Sequence, residues 1–128
     1  MNHGAVVHFE LAGDRATQAF YENAFGWKFQ AIPQLDYSVI HTVETDRKGF
    51  PKLRGAINGG MIMGNTSNVG GPCPVVAVND IKKACEEVVK NGGKLLGEVK
   101  NVADMGLSIR FSDPHGNVMS LWQALEPL

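Results

Sequence analysis

The feature that most constrains this chain is a pattern that runs once and then restarts. From Ala5 to Ala12, Val7, Phe9 and Leu11 alternate with Val6, His8, Glu10 and Ala12, the period of a strand with one apolar and one mixed face. Asp14 then offers a helix cap, Ala16, Ala19, Phe20, Asn23 and Ala24 keep helical spacing, and Gly26 ends the run. Three strands are expected after it: Trp27 to Ile32, stopped by Pro33; Tyr37 to Glu44; and a glycine-rich stretch from Gly55 to Met63, beyond a polar loop at Arg47 to Leu53.

The same order then repeats. Pro74 to Val78 reads as a strand, and Asp80 caps a helix carrying Ile81, Ala84, Cys85, Val88 and Val89, which Gly92 and Gly93 terminate. Strands follow at Lys94 to Val99, Leu107 to Phe111 and Asn117 to Gln123, the last preceded by the turn Asp113-Pro114-His115-Gly116. With the halves side by side, His8 falls opposite Cys73, and Gly26 opposite Gly92-Gly93. One helix covers only one face of a sheet, so the other face must pack on something or hold something. The expected architecture is α+β. Residues 1–128 form a single domain of two tandem βαβββ modules, at about 5–64 and 73–126 with a linker at 65–72, whose curved mixed sheets make an open barrel-like pocket.

Composition narrows the partners. A formal net charge of -1, without a run of like charges, argues against nucleic acid and against an anionic membrane surface. No stretch approaches the ~20 apolar residues of a membrane span, and the N-terminal residues lack a signal-peptide pattern. Cys73 and Cys85 stand twelve positions apart without a CxxC spacing, which suits a reducing, cytoplasmic setting. Open sheets leave edges that need covering, so a homodimer is expected.

Several segments carry a resemblance. Val7-His8-Phe9-Glu10-Leu11, Phe20-Tyr21 with Phe25-Gly26-Trp27-Lys28-Phe29, Ile57-Asn58-Gly59-Gly60, Gly92-Gly93-Lys94, and Phe111 with Asp113-Pro114, Gly116-Asn117 and Leu121-Trp122-Gln123 together span nearly the whole chain. Their order and spacing resemble the vicinal oxygen chelate superfamily of glyoxalase I, extradiol dioxygenases and bleomycin-resistance proteins, and most of all a glyoxalase-related bacterial subgroup. The resemblance implies a small-molecule ligand. In metal-dependent members it also implies a divalent ion (Zn, Ni, Fe or Mn) held by His, Glu or Gln from the first, fourth, fifth and eighth strands. Here His8 matches the first position, Asn58-Gly59-Gly60 the fourth, Cys73 the fifth and Ser120 the eighth. Catalytic sites commonly need three protein ligands, so this depleted set favours no tightly bound metal, with His8 and Cys73 the candidate ligands.

His8 and Glu10, two apart on a strand, project from one face roughly 7 Å apart along the chain. They are the expected catalytic pair, able to exchange a proton, although a hydrogen bond within the sheet for His8 and an ion pair with Arg110 for Glu10 would suit these residues equally well. Ligand contacts are expected from Tyr37, His41, Asn58, Gly60, Arg110, Ser120 and Trp122. Gly60 would form a pocket wall or a bulge, Arg110 would hold a carboxylate, and Trp122 would form an aromatic wall. Two functions stay open. One is lyase- or isomerase-type proton transfer on a small oxygenated metabolite; the other is metal-free binding of the bleomycin-resistance kind.

Overall fold

A computed structural model describes residues 3–64 and 71–125, so most of the expected linker lies outside the described residues. Among the described residues, strand, helix and three strands follow one another twice, an α+β arrangement of eight strands and two α-helices. The chain divides into two compact units, His8 to Pro72 and the residues up to Val7 together with those from Cys73 onward.

In the first unit β1 (Val6–Gly13), α1 (Arg15–Phe25), β2 (Lys28–Ile32), β3 (Tyr37–His41) and β4 (Asn58–Met63) form a sheet in the order β2-β3-β4-β1. The β1/β4 pair is parallel and the others antiparallel. Helix α1 begins where the sequence places it. The Asp14 carboxylate accepts from Thr17 N and the Thr17 hydroxyl accepts from Asp14 N, and Gly26 closes the helix with φ 73, a left-handed position that suits glycine.

The helix is rotated from the expected face. Ala16, Ala19, Phe20, Asn23 and Ala24 all point outward, with Phe20 58% exposed, and Thr17 and Tyr21 turn toward the sheet. Aromatic bulk decides this. Tyr21 stacks on Trp27 with ring centroids 4.8 Å apart, and Trp27 meets Phe9 at 5.7 Å, whereas alanines could offer the sheet little area. Leu11, Ile40 and Met61 form the buried centre, with Phe9, Phe29 and Met63 around them.

Both middle strands are shorter than their patterns suggest. β3 ends at His41 because Thr42 gives its N–H to the Asn58 side chain, 2.8 Å, and its hydroxyl to Ile57 O, 2.7 Å, so the ladder stops there. From Thr45 to Pro51 the Asp46 carboxylate collects the N–H groups of Lys48 and Phe50 in a closed polar turn.

The second unit pairs β5 (Cys73–Ala77), β8 (Val118–Ala124), β7 (Gly106–Ser112) and β6 (Lys94–Val102) in that order, with α2 (Ile81–Lys90) on one face. Here the sequence stripe faces inward as expected. Ile81, Ala84 and Cys85 are buried against Ile109 and Leu121, although Val89 stays exposed. Asp80 caps Lys82 N and Lys83 N, and the Gln123 side chain accepts from Ile81 N at 2.8 Å, tying the helix start to β8. β6 runs three residues past Val99 because its ladder with β7 resumes after an irregularity between Leu96 and Lys100. The turn before β8 is fixed by Asp113, whose carboxylate accepts from the N–H groups of His115 and Asn117.

Met61 is fully buried, so Met61→Ala should lower unfolding stability by about 2–5 kcal/mol. Met105→Ala, at a half-exposed residue, should cost less than about 0.5 kcal/mol. Urea denaturation of the two variants checks the difference, and equal losses would place the core elsewhere.

Candidate functional site

On the face of the first sheet opposite α1, three side chains able to carry a proton converge. His8 and Glu10 share this face because they are two apart on β1, and the register His8↔Asn58, Glu10↔Gly60, Val39↔Gly60 and Tyr37↔Ile62 brings β3 and β4 onto it. Tyr37 is aimed by the turn before it. A short 3-10 segment, Pro33–Leu35, ends at Asp36 in a left-handed conformation (φ 49) that aspartate tolerates, and Met63 N donates to Asp36 O at 2.9 Å.

The Tyr37 hydroxyl donates to Glu10 Oε2 at 2.7 Å. His8 Nε2 lies 3.0 Å from Tyr37 Oη and 3.3 Å from Glu10 Oε2. The single phenol proton is committed to the carboxylate, so both oxygens facing His8 are acceptors, and Nε2 must carry the proton. His8 Nδ1 and Glu10 Oε1 make no hydrogen bond among the described residues. Both side chains keep some access, 32% for His8 and 23% for Glu10. Burial, and then the negative charge of Glu10 and its hydrogen bond, push the Tyr37 phenol far above its ordinary 10.0 and keep it protonated. Glu10 therefore has two partners within its own unit, His8 and Tyr37.

The other expected residues divide between the two units. Beside His8, Asn58 is buried; its Oδ1 accepts from Thr42 N and Thr42 Oγ1, and its Nδ2 is buried with no partner among the described residues. His41 shares the face of Tyr37, with its Nδ1 2.8 Å from the Thr45 hydroxyl. Gly60 makes no bulge, since the register runs unbroken through it, and the space above it is filled by the Tyr37 ring. In the second unit, Ser120 is buried, with its hydroxyl 3.3 Å from Ser108 Oγ and donating to Ile109 O at 3.3 Å. Trp122 lies against Gly106, where a Cβ would strike its ring. Arg110 pairs with Ser120 in the ladder, half-buried, with no ion pair among the described residues. Cys73 is buried at the start of β5, its Sγ 3.6 Å from Pro74 O.

A divalent ion with three protein ligands does not fit these residues. Among the described residues no three His, Cys, Asp or Glu side chains converge, and the nearest donors, His8 Nε2 and Glu10 Oε2, are spent on each other and on Tyr37. Reading the sequence assigned Tyr37 to ligand contact and missed its bond to Glu10, and it missed Thr42 as the anchor of Asn58. The signal lay in strand pairing, because Tyr37 and Glu10 meet only when Gly60 stands between them.

No family model matches the chain. A protein provisionally named glyoxylase CFP32 in Mycobacterium bovis is 25% identical over 123 residues, covering 92% of this chain. The chain spans only 44% of that relative's length. Solved structures share the fold. Methylmalonyl-CoA epimerase from Mycobacterium tuberculosis superposes with a TM-score of 0.62 at 13% identity, over 97% of this chain and 89% of its own. A glyoxalase/bleomycin resistance/dioxygenase superfamily member from Vibrio splendidus 12B01 superposes with a TM-score of 0.60 at 17% identity, over 94% and 98%.

Because the folded protein holds the Tyr37 phenol above its unfolded value, Tyr37 contributes stability in full below about pH 10, and that contribution falls as pH rises past it. Urea midpoints should decline between roughly pH 9 and 11.5, and decline less in Tyr37→Phe. An identical decline in both proteins would mean that the fold does not hold the phenol above its ordinary value.

Proposed function

We propose that this chain, which shares its fold with a glyoxalase/bleomycin resistance/dioxygenase superfamily member, is a vicinal oxygen chelate protein that binds a small oxygenated metabolite over the His8–Glu10–Tyr37 network and moves a proton on it, as a lyase or isomerase does. The observation that carries this reading is the division of labour within the network. Nε2 of His8 and Oε2 of Glu10 are tied inward, and Nδ1 and Oε1 are left uncommitted on a partly accessible face.

A proton next to a carbonyl passes to His8 Nδ1. The imidazolium so formed is stabilised through Nε2–H by the Glu10 carboxylate, whose position the Tyr37 hydroxyl holds, and the proton is then returned to the substrate. Tyr37 stays protonated throughout, because ionising it beside Glu10 would set two negative charges within hydrogen-bond distance. A fold neighbour whose name is an epimerase, a catalyst that inverts one stereocentre, supports proton movement as the reaction class. The provisional glyoxylase name of the mycobacterial relative supports a small carbonyl compound as the substrate class. None of these steps needs a metal.

The depleted donor set supports a second reading, metal-free binding or sequestration of the bleomycin-resistance kind. Either way the reading includes a cytoplasmic setting and a homodimer, for which the outward Phe20 and Phe25 offer apolar surface. No helix among the described residues is long and apolar enough to cross a membrane.

The test is solvent exchange. Methylmalonyl-CoA and a set of small 2-oxo and 2-hydroxy carbonyl compounds are incubated with the protein in deuterium oxide, with chelator present, and followed by proton NMR. The proton-transfer reading predicts deuterium uptake at the carbon next to the carbonyl, lowered about 10²-fold or more by His8→Ala and by Glu10→Gln. Binding that survives both substitutions, with no exchange on any compound, would replace catalysis by sequestration.

A further inference from the structure

Glycine stands at a position where a side chain would sever the network. Tyr37 is on β3 and Glu10 on β1, and β4 lies between them, so the phenol must cross about two strand spacings, roughly 9–10 Å. It crosses directly over Gly60. A Cβ at that residue would fall on the Tyr37 hydroxyl oxygen and the ring carbon bearing it, and would lie 2.8 Å from Tyr37 Cε1.

Backbone conformation does not explain this glycine. Gly60 is not among the positive-φ glycines, and it pairs in regular register with Glu10 on one side and Val39 on the other. Nor can the strand shift to make room, because Gly60 is buried and the Met61 beside it is fully buried in the core below. Glycine in a strand interior costs stability and carries no side chain to pack, so the close approach of the Tyr37 ring is what the position serves.

We infer that Gly60 is a positioning residue of the site: its missing side chain is the opening through which Tyr37 reaches Glu10, so residue 60 decides whether the carboxylate is held by two donors or by His8 alone. This deepens the proposed proton-transfer site, and it rests on that reading only for its consequence in catalysis. Failure of the exchange assay leaves the geometry standing, and failure of the phenol titration below leaves proton transfer standing.

The chain has two tyrosines, so in a Tyr21→Phe background the alkaline rise in phenolate absorbance reports Tyr37 alone. Gly60→Ala in that background should move the titration down toward ordinary phenol values by about one pH unit or more, because the ring is turned away from the carboxylate and toward solvent. A destabilised strand with Tyr37 still in place would instead make the phenolate rise coincide with the loss of far-ultraviolet circular dichroism on raising pH, whereas a released Tyr37 titrates while the fold is intact. An unmoved titration in folded Gly60→Ala overturns the inference. Where Gly60→Ala fails to fold, the double variant Gly60→Ala/Tyr37→Ala decides. Recovered folding identifies Tyr37 as the obstruction, and continued failure while Tyr37→Ala alone folds overturns the inference.

Discussion

The bond from the Tyr37 hydroxyl to Glu10 Oε2, 2.7 Å long, is the contact on which the rest of the first unit's polar face depends. A carboxylate on a sheet face that is mostly removed from water must be paired or hydrogen-bonded, since an uncompensated one costs several kcal/mol. Glu10 satisfies that demand with a neutral phenol and one imidazole N–H. The choice has a chemical consequence. A lysine or arginine in place of the phenol would neutralise the carboxylate outright and leave it little use for stabilising a cation on His8.

That bond also imposes an order on the strands. It needs β1 and β3 separated by β4, with a vacancy in the side-chain layer of β4 where the ring passes. The opposite face obeys a different rule. There Leu11, Ile40 and Met61 fill the space under Tyr21 and Trp27, and register is fixed by hydrophobic volume. A slip by one residue in β4 would drive Met61 into the polar face and Gly60 into the core, so the apolar face holds the polar face in alignment. The second unit shows a related close approach, with Trp122 lying against Gly106, and there the hydroxyls of Ser108 and Ser120 lie 3.3 Å apart.

Much of this was legible in the sequence because it depends on local periodicity. Asp14 and Asp80 mark the helix starts, Gly26 marks a helix stop, and the alternation around His8 and Glu10 places both on one face. What escaped depends on contacts between strands. The inward face of α1 was misread because counting apolar residues favours alanines, whereas burial follows ring area, and Tyr21 carries it. The early end of β3 and the late start of β4 meet at one Asn58–Thr42 contact that no propensity encodes. The partnership of Tyr37 and Glu10, and with it the meaning of Gly60, needs a register that the letters alone do not state.

The central claim is that one proton network joins His8, Glu10 and Tyr37, with the His8 proton on Nε2. Nitrogen–proton correlation NMR of imidazole-labelled protein, recorded above about pH 8 where ordinary imidazoles are neutral, reads the tautomer directly. The account predicts a His8 ring protonated at Nε2, with that signal altered by both Glu10→Gln and Tyr37→Phe. A ring protonated at Nδ1 with a bare Nε2, unchanged by either substitution, would contradict it.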